Sequence, residues 1–203
     1  MPPILRVILF TLPLLVSGLI GYASEPDSEV KFYGLSDPAK KIVYILDHGG
    51  SMLDTFDYLR AEAIQSVNAL TPEQAFSVVM FSERGVAIYP QLQLATPEIK
   101  KDFVTKMQNF RAQGMSNDLL DPLKESFEKA FAMRPEVIYF VTDGRFDPRL
   151  IKEVTDRLNK DKKVRINTLA YVQNDPTSED QLKDLARKNS GSYKFVSEKD
   201  LGK

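Results

Sequence analysis

The stretch 42-IVYILDHGGSMLDTF-56 decides the fold. Five apolar side chains, Ile42 to Leu46, run straight into Asp47, His48, two glycines and Ser51. A continuous apolar run is what a strand needs when both of its faces are covered. A carboxylate at the end of such a strand, followed by glycine, presents a charge on a tight loop. A second run, 136-EVIYFVTDG-144, ends the same way in Asp143.

Outward from these two, apolar runs alternate with helical patterns. Strands are expected at 41–47, 75–82, 85–90, 136–144, 164–172 and 192–197. The short link from the second to the third makes that third strand an antiparallel edge. In 56–70, Leu59, Ala63, Val67 and Leu70 share one helical face. Further helices are expected at 96–110, opened by Thr96-Pro97-Glu98, at 119–132, at 147–161, and at 177–191, the last opened by a Ser or Thr cap. Strands alternating with helices predict an α/β fold: a doubly wound, mostly parallel sheet of about six strands with helices on both faces. Ligands bind such sheets beyond the carboxyl ends of the strands, where strand order reverses. Asp47 and Asp143 are expected at that edge.

Composition narrows the function. The chain has 203 residues, 43% hydrophobic and 27% charged, which describes a globular protein. A net charge of −1 gives no global attraction to nucleic acid, and no nucleic-acid partner is expected. The densest basic run, Lys160, Lys162, Lys163 and Arg165, reads as a solvated helix end and turn. Without cysteine there are no disulfides or thiolate metal sites, and a single histidine excludes any site that needs two imidazoles.

Residues 1–23 differ from the rest. Arg6 precedes the uncharged stretch VILFTLPLLVSGLIGYA, with small residues at Gly21 and Ala23. This reads as an export signal or as a retained membrane anchor, and either places the domain outside the cytoplasm. The stretch is a little short for a span of about 20 residues, and Pro13 interrupts it. Residues 24–40, rich in Ser, Asp, Glu, Pro and Gly, read as a linker or irregular lead-in to a domain over 41–203.

Three loops are expected to meet at one rim. Asp47 and Ser51 follow the first strand, Ser116 follows 109-NFRAQGM-115, and Asp143 ends the fourth strand. Two carboxylates and two hydroxyls suit a hard divalent cation such as Mg²⁺, which takes oxygen ligands and keeps several waters. At these residues the chain resembles the von Willebrand factor type A domain, whose metal-ion-dependent adhesion site (MIDAS) reads D-x-S-x-S, then Thr in a Gly-rich loop, then Asp in a T-D-G turn. Here the three segments are Asp47-His48-Gly49-Gly50-Ser51, Gly114-Met115-Ser116-Asn117 and Thr142-Asp143-Gly144. The resemblance covers about residues 40–197. It implies Mg²⁺ or Mn²⁺ held by the hydroxyls of Ser51 and Ser116, with Asp47 acting through bound water and Asp143 through water or directly. It also implies that Gly49 and Asn117 lie in the binding loops.

Gly49 departs from the pattern. It stands where the family has its first motif serine, so one oxygen ligand is missing and weak binding is expected. A glycine there also admits a positive φ, which serine tolerates poorly. Ser116 in place of threonine keeps the hydroxyl but loses the methyl that restricts its rotamer. His48 fills a variable motif position and is expected to be an exposed loop residue. Asp54, Asp57, Asp118, Asp121 and Asp147 fall near the rim in sequence and read mainly as helix-start residues, with Asp118 able to approach the metal.

The residues favour a binding module over an enzyme. The resemblance implies that an unknown protein partner completes the cation's coordination with a carboxylate. The alternative is an interaction domain, held on a membrane by the N-terminal segment, whose metal site no longer works. A metal-dependent hydrolase with Asp47 as nucleophile or base lacks a second acid two positions on and an evident catalytic lysine.

Overall fold

The protein is described here by a computed structural model over residues 29–114, 120–144, 146–172 and 175–201. In chain order, β1 (Glu29–Phe32) and β2 (Leu35–Pro38) form an antiparallel hairpin. Next come β3 (Lys41–Asp47), α1 (Phe56–Ala69) and β4 (Ala75–Phe81), then the short β5 (Gly85–Ala87) and β6 (Gln93–Leu94). The rest is α2 (Pro97–Met107), α3 (Leu120–Ala132), β7 (Val137–Thr142), α4 (Arg149–Lys152), β8 (Arg165–Tyr171), α5 (Pro176–Lys188) and β9 (Tyr193–Val196).

The main sheet has the order β5-β4-β3-β7-β8-β9. Its inner pairs β4/β3, β3/β7, β7/β8 and β8/β9 are all parallel. The antiparallel edge is shared by two segments: β5 pairs with the end of β4, and β6 with its beginning. From β3 the chain winds outward through β4, then returns to build β7, β8 and β9 on the other side. Strand order therefore reverses between β3 and β7, and the crevice beyond their carboxyl ends is the natural ligand position.

Both faces of the sheet are covered, which is why the central strands carry no polar alternation. Ile42, Tyr44 and Leu46 face the hairpin and the α1/α2 layer, where Leu59, Ala63, Val67, Phe103 and Met107 are buried. Val43 and Ile45 face the α3/α4/α5 layer with Leu123, Phe127, Leu150, Leu182 and Leu185. Side chains cap the starts of α2 and α5. Thr96 Oγ1 accepts the Ile99 N–H ahead of α2. Asp175, not the expected Ser or Thr, caps α5 by accepting the Ser178 N–H, with Pro176 in the first turn.

Two expectations are corrected. From residue 29 onward the stretch read as a linker or irregular lead-in is a hairpin packed into the core, with Val30 and Phe32 fully buried. Its Ser36, Asp37 and Pro38 belong to strand β2, while Tyr33 (φ 46) and Gly34 (φ 76) take the two positive-φ positions of a tight hairpin turn. Asp37 is buried against the Arg165 guanidinium, whose Nε lies 3.0 Å from both carboxylate oxygens. The second concerns the helix expected at 147–161. It is regular only over α4, then widens into a π-helical turn over Glu153–Leu158, where the Asn159 N–H reaches Val154 O at 2.8 Å. The buried Asn159 side chain explains the widening, because it is tied to Val164 O at 2.7 Å and Asn189 Oδ1 at 2.9 Å.

Ile45 and Phe140 lie on the two central strands and are fully buried, Phe140 within 5.2–5.9 Å of the rings of Phe127, Phe146 and Phe81. Truncation of either to alanine is expected to cost about 2–5 kcal/mol in a urea titration, as lost contact and residual cavity add. A loss below about 1 kcal/mol would show that the strand concerned is not central.

Candidate metal centre

The rim is built by two neighbouring parallel strands. Asp47 ends β3 and Asp143 follows the last residue of β7. Asp47 is 4% exposed, and both of its oxygens are held: Oδ1 accepts the Gly49 N–H at 2.8 Å and Oδ2 the Thr142 hydroxyl at 2.7 Å. Thr142 Oγ1 in turn accepts the Gly144 N–H at 3.2 Å. The Ser51 hydroxyl donates to Asp143 Oδ1 at 2.9 Å. One bond runs from the first loop to the third, and another crosses between the strand ends beneath it.

The second loop is docked by backbone bonds. Gln113 N–H donates to His48 O at 2.8 Å, and Gly50 N–H to Gly114 O at 3.0 Å, with Gly114 at φ +85. Ser116 and Asn117, with Asp118, lie just past Gly114 and outside the described residues. Of the six expected site residues the structure therefore brings together Asp47, Gly49, Ser51 and Asp143.

His48 is not an exposed loop residue. It is 5% exposed, its Nδ1 is 3.0 Å from Arg111 O, and its ring meets Phe110 edge-on at 5.6 Å. Burial lowers its pKa, against a raising contribution from the Arg111 carbonyl. The imidazole fastens the second loop to the first. Gly49 does not need glycine for its backbone: φ is −60° and ψ 167°, open to any L residue. A Cβ there would stand 3.1 Å from Asp47 Oδ1 and 3.9 Å from Ser51 Oγ. A side chain at 49 would thus project between the two expected ligands. Of the flanking aspartates, Asp57 pairs with Arg60 at 2.6 Å, Asp147 accepts the Arg149 N–H and pairs with its guanidinium, and Asp121 sits in the first turn of α3. Sequence reading overlooked Thr142 as the residue that orients Asp47. Its place in the T-D-G turn was the available signal.

Like charges crowd this rim. Burial pushes the Asp47 carboxyl up to about 7, and the Asp143 charge adds to the rise, while the bonds from Gly49 and Thr142 oppose it. Burial also raises Asp143, against the Ser51 hydrogen bond. Among the described residues no lysine or arginine pairs with either carboxylate, and no cluster of three or more Asp, Glu or His stands ready for a metal. Two buried acids and a hydroxyl, all oxygen donors, fit a hard divalent cation, with one oxygen fewer than a full set because of Gly49.

With that geometry in view, comparison places the chain. The von Willebrand factor type A domain family model matches residues 41–203, and the chain belongs to this family. A human relative, von Willebrand factor A domain-containing protein 3B, is 28% identical over 158 residues, covering 75% of this chain and 12% of that protein. The chain thus spans about an eighth of the relative's length. Among solved structures, proximal thread matrix protein 1 from the mussel byssus, described with a zinc-occupied MIDAS motif, aligns with TM-score 0.59 at 18% identity, over 79% of this chain and 44% of its own. An aerotolerance-related membrane protein from Bacteroides fragilis aligns with TM-score 0.59 at 13% identity, over 79% and 93%.

The raised Asp47 pKa has a signed consequence for stability. A carboxyl whose folded pKa lies above its unfolded value near 3.9 favours the folded state only while it is protonated. That contribution is complete below the unfolded pKa and is lost as pH rises through about 7. In metal-free buffer with chelator, Asp47→Asn is expected to gain stability over wild type between pH 5 and pH 8, on the order of 2 kcal/mol. Thermal melts at the two pH values check this, and an unchanged gap between the proteins counts against it.

Proposed function

We propose that this domain is a non-enzymatic protein-binding module, exported or anchored in a membrane, whose rim takes Mg²⁺ or Mn²⁺ weakly and through it an acidic group of a protein partner. The observation that carries this reading is the pair of buried carboxylates, Asp47 and Asp143, at the ends of two paired parallel strands, with the Ser51 hydroxyl of the following turn bonded to Asp143. Ser51 and Asp143, with Ser116 from the docked loop, would hold the cation, and Asp47 would hold its bound water. The cation would supply positive charge and an open position for a carboxylate. The zinc in the MIDAS motif of the mussel protein supports metal chemistry at a rim of this fold.

The non-enzymatic reading rests on the same contacts. The Ser51 hydroxyl is committed to Asp143, and the His48 imidazole is turned onto Arg111 O. Among the described residues the Ser51 hydroxyl is bonded to a carboxylate and not to an imidazole or amine base. Export rests on the apolar stretch after Arg6. N-terminal sequencing of protein from a membrane-enclosed extract is expected to find a start near Ser24 or a retained segment. An intact, purely cytosolic chain would end this part of the reading.

Calorimetric titration with Mn²⁺ and Mg²⁺ tests the rim. Wild type is expected to bind weakly, and Asp47→Ala not at all. Gly49→Ser is expected to bind roughly ten-fold more tightly, a gain of about 1–2 kcal/mol for one recovered oxygen. Because position 49 has ordinary extended backbone, the serine is expected to cost little in metal-free melts beyond a small shift of the Asp47 carboxylate. Binding by Gly49→Ser alone would favour an interaction domain whose native metal site is lost. Equal affinities in all three proteins would remove the rim's claim to be the functional site.

A further inference from the structure

A second concave site lies on the flank of the domain, between α1, the hairpin turn and the final turn of the described chain. It is a cavity of about 300 Å³ walled by Tyr33 and Tyr58, with Glu62 and Asp200 at its sides. That volume is at the lower end of ligand-sized sites. Ala61 and Gln65 form its exposed outer margin, so it can be entered from solvent.

The charges are unequally satisfied. Lys194 Nζ donates to Tyr33 O at 2.5 Å and stands 3.7 Å from Asp200 Oδ1, so Asp200 is answered from within the protein. Asp200 Oδ2 also accepts the Ser197 N–H and hydroxyl. Glu62 Oε1 accepts the Tyr33 N–H at 2.6 Å, and no lysine or arginine among the described residues pairs with Glu62. The fields of both acids converge on the Tyr33 phenol: burial raises its pKa most, then Tyr171, with Glu62 and Asp200 adding in the same direction. Tyr33 is held in place at a positive φ by its hydroxyl contact to Tyr171 at 2.8 Å and by Glu62. The result is a preformed pocket lined by the exposed Tyr58 and the largely buried Tyr33, with one carboxylate that no lysine or arginine of the described residues pairs with.

We propose that this cavity receives a single alkylammonium or guanidinium group, presented by a lysine or arginine side chain of a partner protein. Aromatic faces attract such cations through their quadrupoles, and a half-buried carboxylate adds a direct ion pair. A neutral or anionic group would leave Glu62 unanswered. The site is separate from the metal rim and does not depend on the rim's binding a cation.

The test is an NMR titration of the isotopically labelled domain with the capped tripeptide Gly-Lys-Gly, butylammonium, and the neutral Gly-norleucine-Gly. The lysine peptide is expected to shift the amides of Tyr33, Tyr58 and Glu62 in a saturable way, and the norleucine peptide is expected not to. Glu62→Gln keeps the acceptor for the Tyr33 N–H, so it is expected to fold normally and to bind the lysine peptide about ten-fold more weakly. Tyr58→Leu is expected to weaken binding several-fold while a dispersed spectrum confirms its fold. Absence of saturable shifts in wild type, equal response to the norleucine peptide, or unchanged affinity in Glu62→Gln would each overturn the proposal. Butylammonium binding at least as tightly as the lysine peptide would overturn its assignment to a protein side chain.

Discussion

The structure turns on the parallel pairing of β3 with β7. It places Leu46 opposite Val141, so Asp47 and Asp143 emerge together at one edge. Two carboxylates this close and this buried repel, and burial alone already disfavours their charge. The rim tolerates them through specific donors: the Thr142 hydroxyl and Gly49 N–H on Asp47, the Ser51 hydroxyl on Asp143. Those bonds lower both pKa values, yet the larger desolvation leaves them raised. That balance is set by strand topology, which brings both acids to one edge.

The rest of the fold holds that edge still. Apolar layers on both faces fix β3 and β7, and the hairpin completes one layer where helices alone leave a gap. Phe32 fills it, edge-on to Tyr44 at 5.2 Å and Tyr139 at 5.5 Å. The phenols facing this layer find partners: Tyr44 with Ser66 at 2.8 Å, Tyr33 with Tyr171. A tyrosine-rich face can be buried only if its hydroxyls are satisfied, and the hairpin and α1 supply those partners. The same contacts shape the flank cavity, so Tyr33 serves both the core and the proposed cation site.

Much of this was legible in the sequence, and the failures have physical causes. Long apolar runs bounded by polar residues mark the extent of strands covered on both sides, so β3, β4, β7 and β8 were readable to within a residue or two. The carboxylate-ended strands located the rim, because chain direction in a parallel sheet fixes which ends meet. The hairpin was missed because a four-residue strand alternating exposed and buried residues, as in 29–32, has too little length for periodicity to show. The burial of His48 was missed because it depends on Phe110 and Arg111, over sixty residues away, and nothing local announces that contact. The π-helical turn was missed for the same reason: the Asn159–Asn189 bond that favours it is long-range.

Gly49 shows where sequence and structure must be read together. In the sequence a glycine in a Gly-Gly loop suggests a backbone that only glycine can adopt. The dihedrals remove that reason, since the residue is extended at negative φ and its Cβ direction is merely tight against one movable carboxylate oxygen. Conformation therefore does not require the loss of a side-chain oxygen at 49. What glycine changes is chemistry alone: it leaves the Asp47 carboxylate bonded to its own backbone N–H, with no hydroxyl between it and Ser51. The rim therefore keeps two buried acids and one hydroxyl, and position 49 adds no side-chain oxygen to them. Under the proposed reading, that combination would suit a loosely held ion rather than a permanent one, since Mg²⁺ demands near-ideal octahedral coordination.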